Sequence, residues 1–297
     1  ILLINFMKIK ILIPIYNDWN SVKLLINNID KAVTDIEGNF SVIIINDAST
    51  QKKPDNFLSF KNLKSVKIIN MINNRGHGRC NAAGLKYIYE REDFDYVIPM
   101  DGDGEDRPEE IPQFVEKIVK NPDIPVVGKR VKRSENNVFK FCYEVHKILT
   151  YLFTGKLIKF GHFTCISKSV VKKMTNEKAT WNCYSASLVK VTKIRDSIPS
   201  IRGKRYFDLS KMSFYNLIIH SFSIISVFKI NVLIRSIGFI ILYTFLIKSN
   251  FSIVTSIPIV LIIIFVIAIF KLSKRENMEE YNKCLDNISN IEVFEKS

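Results

Sequence analysis

The stretch "FSVIIIND", Phe40 to Asp47, decides how the chain folds. Its apolar run has the length of a strand and does not alternate with polar residues, the pattern of a strand covered on both faces. An acid ends it. Upstream, Lys8 to Ile15 within "IKILIPIY" reads as a first strand. "WNSVKLLINNIDKAV" follows, with Val22, Leu25, Ile26, Ile29 and Val33 at helical spacing. Downstream, "VKIINM" (Val66 to Met71) predicts a third strand, "GRCNAAGLKYIYER" (Gly78 to Arg91) a helix, and "DYVIPM" (Asp95 to Met100) a fourth strand. Short apolar strands alternating with helices predict an α/β fold with a doubly wound, mainly parallel sheet. Ligands of such sheets lie beyond the carboxyl ends of the strands, so the residues just after these strands form the candidate site.

After the fourth strand the chain breaks into Asp101, Asp103, Glu105, Asp106, Glu109 and Glu110, although its formal net charge is +14. Two aspartates one residue apart can aim both carboxylates at one hard cation. Mg²⁺ or Mn²⁺ commonly bridges protein carboxylate to substrate phosphate in this way. Gly102 and Gly104 leave the backbone open to a bulky ligand. A calcium loop is excluded, because Asp106 stands where its glycine is required and Pro112 where its last glutamate is required. Taken alone, the pair also reads as a solvated acidic turn. Asp47, ending the second strand, can accept the ring N–H of uracil or guanine, or cap a turn. "NNRGHGRCNAAG" brings Arg75, His77 and Arg79 into a glycine-rich loop entering a helix, a good neighbourhood for phosphate. It is not a dinucleotide fingerprint, since Asn81 takes the third glycine's place, and no G-K-[ST] follows to make a P-loop.

The 297 residues, 47% of them apolar, hold one large or two modest domains with a real core, and general disorder is excluded. The positive charge implies an anionic partner. Five cysteines without C-x-x-C spacing argue against a zinc site or a disulfide framework and fit a reducing compartment. "ILLINFMKIKILIPIYN" has no basic region ahead of its apolar run and no small-residue cleavage site, so it reads as a strand and not a signal peptide. Met7 is a candidate start, with Ile1 to Phe6 upstream of it.

The second half is different in kind. "KRVKR" (Lys129 to Arg133) and "RGKRYFDLSK" (Arg202 to Lys211) are basic. From Met212 to Phe228, Ser213, Asn216, His220 and Ser223 form a polar stripe on an otherwise apolar helix, which predicts an interfacial amphipathic helix or a packed one. Phe251 to Phe270 carries no charge and is long enough, at roughly 20 residues, to cross a ~30 Å hydrocarbon core. Val232 to Ile247 is shorter, and Arg235 in its first turn calls for snorkelling or for a start nearer Ile230. Only "KSN" separates the two, which predicts a hairpin. Lys229, Arg235, Lys271, Lys274 and Arg275 flank its ends against Lys248 alone in the loop, so the rest of the chain is expected in the cytoplasm.

Five segments together, "ILIPIYND", "VIIINDAST", "NNRGHGRCNAAGL", "YVIPMDGDGEDRPEEI" and "VVGKRVKR", have the order and spacing of glycosyltransferase family 2. The chain resembles in particular the polyprenyl-phosphate sugar transferases of that family, from about Lys8 to the hairpin. The resemblance implies a GT-A-type nucleotide-diphosphate-sugar fold, a divalent metal (Mg²⁺ or Mn²⁺) and inversion at the anomeric carbon. It implies that Pro14 and Tyr16 line the base and that Asp47 binds it. Asp101 and Asp103 would meet metal and diphosphate, and Arg130, Arg202 and Lys211 would contact phosphates; Arg79 lies among the candidate donor-binding residues. Asp103, Arg130 and His162 are the candidate catalytic residues.

The chain departs from the family in two places. Asn46 replaces the first of a usual pair of acids before Asp47. Gly161-His162-Phe163-Thr164-Cys165 stands where the polyprenyl-phosphate transferases read G-D-F-R-L, so an acid is replaced by His162 and an arginine by Thr164. A phosphate acceptor is already ionised and needs no strong base, whereas a hydroxyl acceptor would need one, which His162 could supply. Trp181 to Lys190 and His220 are expected at the membrane side or the acceptor site.

The expected division is a transferase domain over 7–200, a basic amphipathic segment over 201–229, a transmembrane hairpin over 230–271 and a cytoplasmic tail over 272–297. The expected partners are a nucleotide-diphosphate sugar, a polyprenyl phosphate and the membrane, with homo-oligomerisation left open. Nucleic acid is not expected, because the basic residues cluster beside the acidic edge and the apolar helices. Transfer to a hydroxyl of a lipid-linked or polysaccharide acceptor is the alternative activity. A non-catalytic membrane-bound regulator is the alternative class.

Overall fold

The computed structural model describes residues 7–54, 59–132, 137–207 and 214–296. In chain order it begins β1 (Lys8–Ile15), α1 (Trp19–Ala32), β2 (Asn39–Asn46), β3 (Ser65–Met71), α2 (His77–Arg91) and β4 (Tyr96–Pro99). It continues α3 (Ile111–Lys120), β5 (Val126–Lys132), α4 (Asn137–Thr154), β6 (Thr164–Ser167), α5 (Lys168–Thr175), α6 (Tyr184–Val191) and β7 (Asp196–Ile201). It closes α7 (Phe214–Ser226), α8 (Lys229–Ile247), α9 (Ile253–Ser273), α10 (Met278–Asn282) and β8 (Ile288–Glu295). Two compact units result. One comprises Ile1–Ser134, Lys159–Ser210 and Met278–Ser297; the other comprises Glu135–Ile158 and Lys211–Asn277.

The first unit is built on an eight-stranded sheet of order β7-β5-β6-β4-β1-β2-β3-β8. Strands β1 to β4 are mutually parallel, β6 runs antiparallel between β4 and β5, and β8 runs antiparallel along β3. The alternation along β1 decides which side each residue covers. Ile9, Ile11, Ile13 and Ile15 pack with Val22, Leu25, Ile26 and Ile29 of α1 and with Phe114 and Ile118 of α3. Leu12 packs on the other face with Ile43, Ile45, Leu85 and Ile88 of α2, and Val171 and Met174 of α5. Helices therefore cover both faces, as the uninterrupted β2 run predicts. Gly84 lets α2 lie close to the sheet, since a Cβ there would overlap Leu12 and stand 2.9 Å from Ile45 Cγ1.

The expected tail is part of this sheet. Residues 288–295 pair with 65–71 of β3, with Phe294 packed on one core face and Ile288 on the other. The reading of 272–297 as a tail missed it because half of its residues are polar and because its pairing joins segments some two hundred residues apart in sequence. Pairing covers what would otherwise be an open β3 edge. Most of Trp181 to Lys190 is core: Trp181, Tyr184 and Leu188 are buried, and Tyr184 shares a 2.6 Å hydroxyl hydrogen bond with Thr164.

The second unit is helical. Leu149 and Phe153 of α4 pack with Phe222 and Ile225 of α7, Val232 of α8 and Phe265, Val266 and Ile269 of α9. These contacts separate residues 135–158 from the 7–200 domain expected from sequence. Two helical segments, Lys229–Asn250 and Ile253–Asn282, are long and apolar enough to cross a membrane. Their outer residues Ile241, Phe245, Leu246, Ile253, Val254 and Ile267 are exposed, which suits lipid and not a water-facing surface. Helix α8 starts at Lys229, as the alternative of a start nearer Ile230 expects, and Arg235 has a protein partner. Its Nη1 donates to the Leu152 carbonyl (3.0 Å) at the end of α4, beside Gly155, which turns the chain at φ 71°. On α7, Asn216 and His220 are exposed while Ser223 and Ser226 are buried, so the polar stripe faces outward only in the first half. Ser213 lies outside the described residues.

Candidate active site

Parallel strands deliver their carboxyl ends to one edge: Ile15 pairs with Asn46, Asn46 with Asn70, and Leu12 with Pro99. The loops after β1, β2, β3 and β4 all begin there. Pro14 is buried within β1 and Tyr16 is exposed just beyond it. Asp47 is buried, and its carboxylate accepts the backbone N–H groups of Arg75 (2.9 Å) and Gly76 (2.8 Å). It thus ties the β2 loop to the loop entering α2. Burial pushes its carboxyl above the ordinary value, against those two hydrogen bonds.

The edge centres on Asp101. One donor atom each from His77, Asp101 and His162 lie within 4.8 Å of one another. His77 Nε2 stands 3.3 Å from Asp101 Oδ1, a charge contact when the imidazole is protonated, and no donor satisfies this buried oxygen in full hydrogen-bond geometry. An orphaned buried carboxylate oxygen beside two imidazoles fits a divalent cation. Burial alone would raise the Asp101 carboxyl, but His77, His162 and Arg130 outweigh it and hold the group ionised. Neighbouring Asp106 and Asp103 are pushed up, first by burial and then by the Asp101 charge. Asp106 also accepts the Asp101 backbone N–H at 3.0 Å.

Asp103 is not a member of that cluster. Its Oδ2 accepts from Arg205 Nη1 at 2.5 Å, while Arg205 Nη2 reaches Asp18 at 3.1 Å. The segment bearing Arg205 is laid along the acidic loop: Gly203 N–H donates to the Glu105 carbonyl (2.8 Å) and Tyr206 N–H to the Asp103 carbonyl (3.0 Å). Gly104, at φ 87°, makes room for the Tyr206 ring, which stands 2.5 Å from where a Cβ would sit. Arg202 is paired with Glu105. Arg130, on β5, lies near Asp101 and Asp106 and against Gly161.

Arg79 faces away from this centre, stacked 5.3 Å over Trp181 and paired with Glu280 at 3.3 Å. It lines, with Asp47, Arg75 and Lys283, a cavity of about 240 Å³, below the ~300 Å³ at which pockets begin to enclose a ligand. Lys211 lies outside the described residues. Sequence reasoning underrated His77, which it read only as a phosphate neighbour, and missed Arg205 and Asp18. No spacing rule links Arg205 to an acid 102 residues earlier.

The model of Glycosyl transferase family 2 matches residues 10–175, more than half of the chain. The chain belongs to glycosyl transferase family 2. Among curated relatives it is similar to the undecaprenyl-phosphate 4-deoxy-4-formamido-L-arabinose transferase of Klebsiella pneumoniae (strain 342), with 26% identity over 71% of this chain and 64% of the relative. The protein of that name from Erwinia tasmaniensis is also 26% identical, over 71% of this chain and 65% of its own length. The chain thus spans about two thirds or slightly less of the length of the relatives it matches. Among solved structures it is similar to glucosyl-3-phosphoglycerate synthase from Mycobacterium tuberculosis in complex with Mn²⁺, UDP and phosphoglyceric acid. The TM-score is 0.56 at 13% identity, over 76% of this chain and 78% of that one. That likeness establishes the GT-A-type fold of this family member.

Proposed function

We propose that this family member is a membrane-anchored, inverting transferase that moves a sugar from a nucleotide-diphosphate sugar to polyprenyl phosphate at the cytoplasmic face. The observation that carries the reading is the convergence of Asp101, His77 and His162 on one point beyond β4. A cation there would offset the diphosphate charge as the nucleotide leaves. One carboxylate with two imidazoles suits Mn²⁺ better than Mg²⁺, which keeps to oxygen ligands.

The chain's own residues do the rest. Asp47, with Pro14 and Tyr16 beside it, would orient the base, and Arg130 would steady the diphosphate by charge. The acceptor phosphate oxygen attacks the anomeric carbon, and the bond to the diphosphate breaks with its electron pair leaving on the nucleotide. His162 belongs to the cation cluster in this reading, so it is not needed as a base. That favours an acceptor already ionised. Asp103 and Arg202 are held by Arg205 and Glu105, and each would have to exchange its partner to touch the donor.

Two apolar helices and the names of the relatives support a lipid-borne acceptor. The basic flanks support α8 and α9 as a hairpin with both ends cytoplasmic. The test is a panel of radiolabelled UDP- and GDP-sugars offered with undecaprenyl phosphate and Mn²⁺ to the purified full chain in detergent. Metal-dependent label in the organic phase is expected. Nucleotide-sugar consumption without lipid product would overturn the acceptor. In intact cells a cysteine placed at Ser249 should react only with reagent outside the cytoplasm; labelling from inside would overturn the topology.

A further inference from the structure

Asn46, the residue that departs from the family's paired acids, is the middle of a hydrogen-bonded chain that ends on the last strand. Its Nδ2 donates to Asn70 Oδ1 (2.8 Å), and Asn70 Nδ2 donates to Glu292 Oε1 on β8 (3.0 Å). In the other direction Asn46 Oδ1 accepts the backbone N–H of Ser49 (3.0 Å), and Ser49 Oγ accepts that of Asn17 (2.8 Å). Asn17 Oδ1 then accepts the N–H groups of Thr50 and Gln51 at 2.8 and 2.9 Å. These are the two loops that flank Asp47. They are held in a demanding geometry, with Asn17 at φ 52° and Ala48 at φ 58°, a region side chains other than glycine enter at a cost.

The chain has a direction. An ionised carboxylate only accepts, so Glu292 makes Asn70 present its NH₂ group to β8 and its oxygen to Asn46. Asn46 must then present NH₂ to Asn70 and oxygen to Ser49, which is the one arrangement that satisfies that backbone donor. Lys53 pairs with the second Glu292 oxygen and helps hold the carboxylate in place. An aspartate at position 46 would have no proton for Asn70. If Asn70 turned to donate to it, the Asn70 oxygen would face the Glu292 carboxylate.

We propose that Glu292 is a positioning residue for the donor base: through Asn70 and Asn46 it sets the polarity of the relay that fixes the Asp47 loop. This rests on reading that loop as the base site.

The test uses isosteric variants of the full chain, which remove no packing: Asn46→Asp, Glu292→Gln and the pair together. The readouts are the Kd of UDP and GDP, each with Mn²⁺, by calorimetry, and the split between donor KM and kcat. Asn46→Asp should weaken nucleotide binding about tenfold, the scale of one lost charge-assisted hydrogen bond, with kcat at saturating donor unchanged. Glu292→Gln alone should stay within about threefold of native, because its amide oxygen still accepts from Asn70. The double variant should recover to that level, since the amide introduced on β8 can turn its NH₂ group toward Asn70 and let the whole relay reverse. Asn46→Asp with Glu295→Gln makes the same charge change on the same strand without touching the relay, and should stay impaired. An equal loss from Asn46→Asp on the native and Glu292→Gln backgrounds, rescue by Glu295→Gln, or native binding by Asn46→Asp would each overturn the proposal. A native chain that binds neither nucleotide would overturn the base-site reading instead.

Discussion

Replacing His162 by alanine separates the two chemistries open to this site. The imidazole is one of three donors within 4.8 Å of one another, and Asp101 and His77 remain when it is removed. Losing an outer-shell partner of a metal ligand already costs about 10- to 100-fold in affinity, so losing a direct donor should cost about 100-fold, or ~2.8 kcal/mol. The deficit should appear as a higher Mn²⁺ requirement. At saturating Mn²⁺ and donor, kcat should return to within about tenfold of native, because a phosphate acceptor attacks without a base. Initial rates across a Mn²⁺ series, for native chain and His162→Ala side by side, give both numbers. An unchanged Mn²⁺ half-saturation with kcat down by about 10² to 10⁴ would refute the reasoning. That result would make His162 a general base on a hydroxyl acceptor.

Gly84→Ala should lower stability by about 1–3 kcal/mol in denaturant unfolding, because the added methyl overlaps Leu12 and crowds Ile45 in a filled layer. Gly155→Ala should destabilise the helical unit by about 1–2 kcal/mol, since φ is 71° there and a Cβ would stand 2.7 Å from Arg235 Nη2; proteolytic susceptibility after Thr154 reports it. Glu292 carries a pH dependence. Burial raises its carboxyl, but Lys53 and Asn70 outweigh burial and hold the folded value below the ordinary 4.5. Its contribution is present above that value and fades as pH falls through the lower folded one, so protection of β8 amides, corrected for intrinsic exchange, should hold from neutral pH and decline only below about 4.5.

The parallel half of the sheet was legible because its signals are local. β1 and β2 are apolar runs of strand length, and α1 repeats its apolar residues every three or four positions. The acids and glycines after β4 likewise marked the carboxyl edge of the sheet without any knowledge of the fold. What the sequence hid is what distance in the chain makes invisible. β8 carries polar residues at half of its positions and gains its meaning only against β3. Arg205 reads as one more basic residue until the 203–206 segment lies along the acidic loop and turns it onto Asp103. His162 reads as a substituted acid until β6 brings it beside Asp101 and His77. Arg79 looks like a phosphate ligand in its loop, yet Glu280 and Trp181, far away in sequence, hold it elsewhere. Asn46 looks like a lost charge until Glu292 appears across two strands.

Transfer to a lipid phosphate is decided by the linkage in the product. The lipid product formed with Mn²⁺ should be analysed by phosphorus NMR and mass spectrometry, with the anomeric configuration read from proton couplings. A single phosphodiester joining polyprenol to a sugar of configuration opposite to the donor's is the expected result, absent from Asp101→Asn. A sugar attached to a hydroxyl, with the lipid phosphate left as a monoester, would contradict the account.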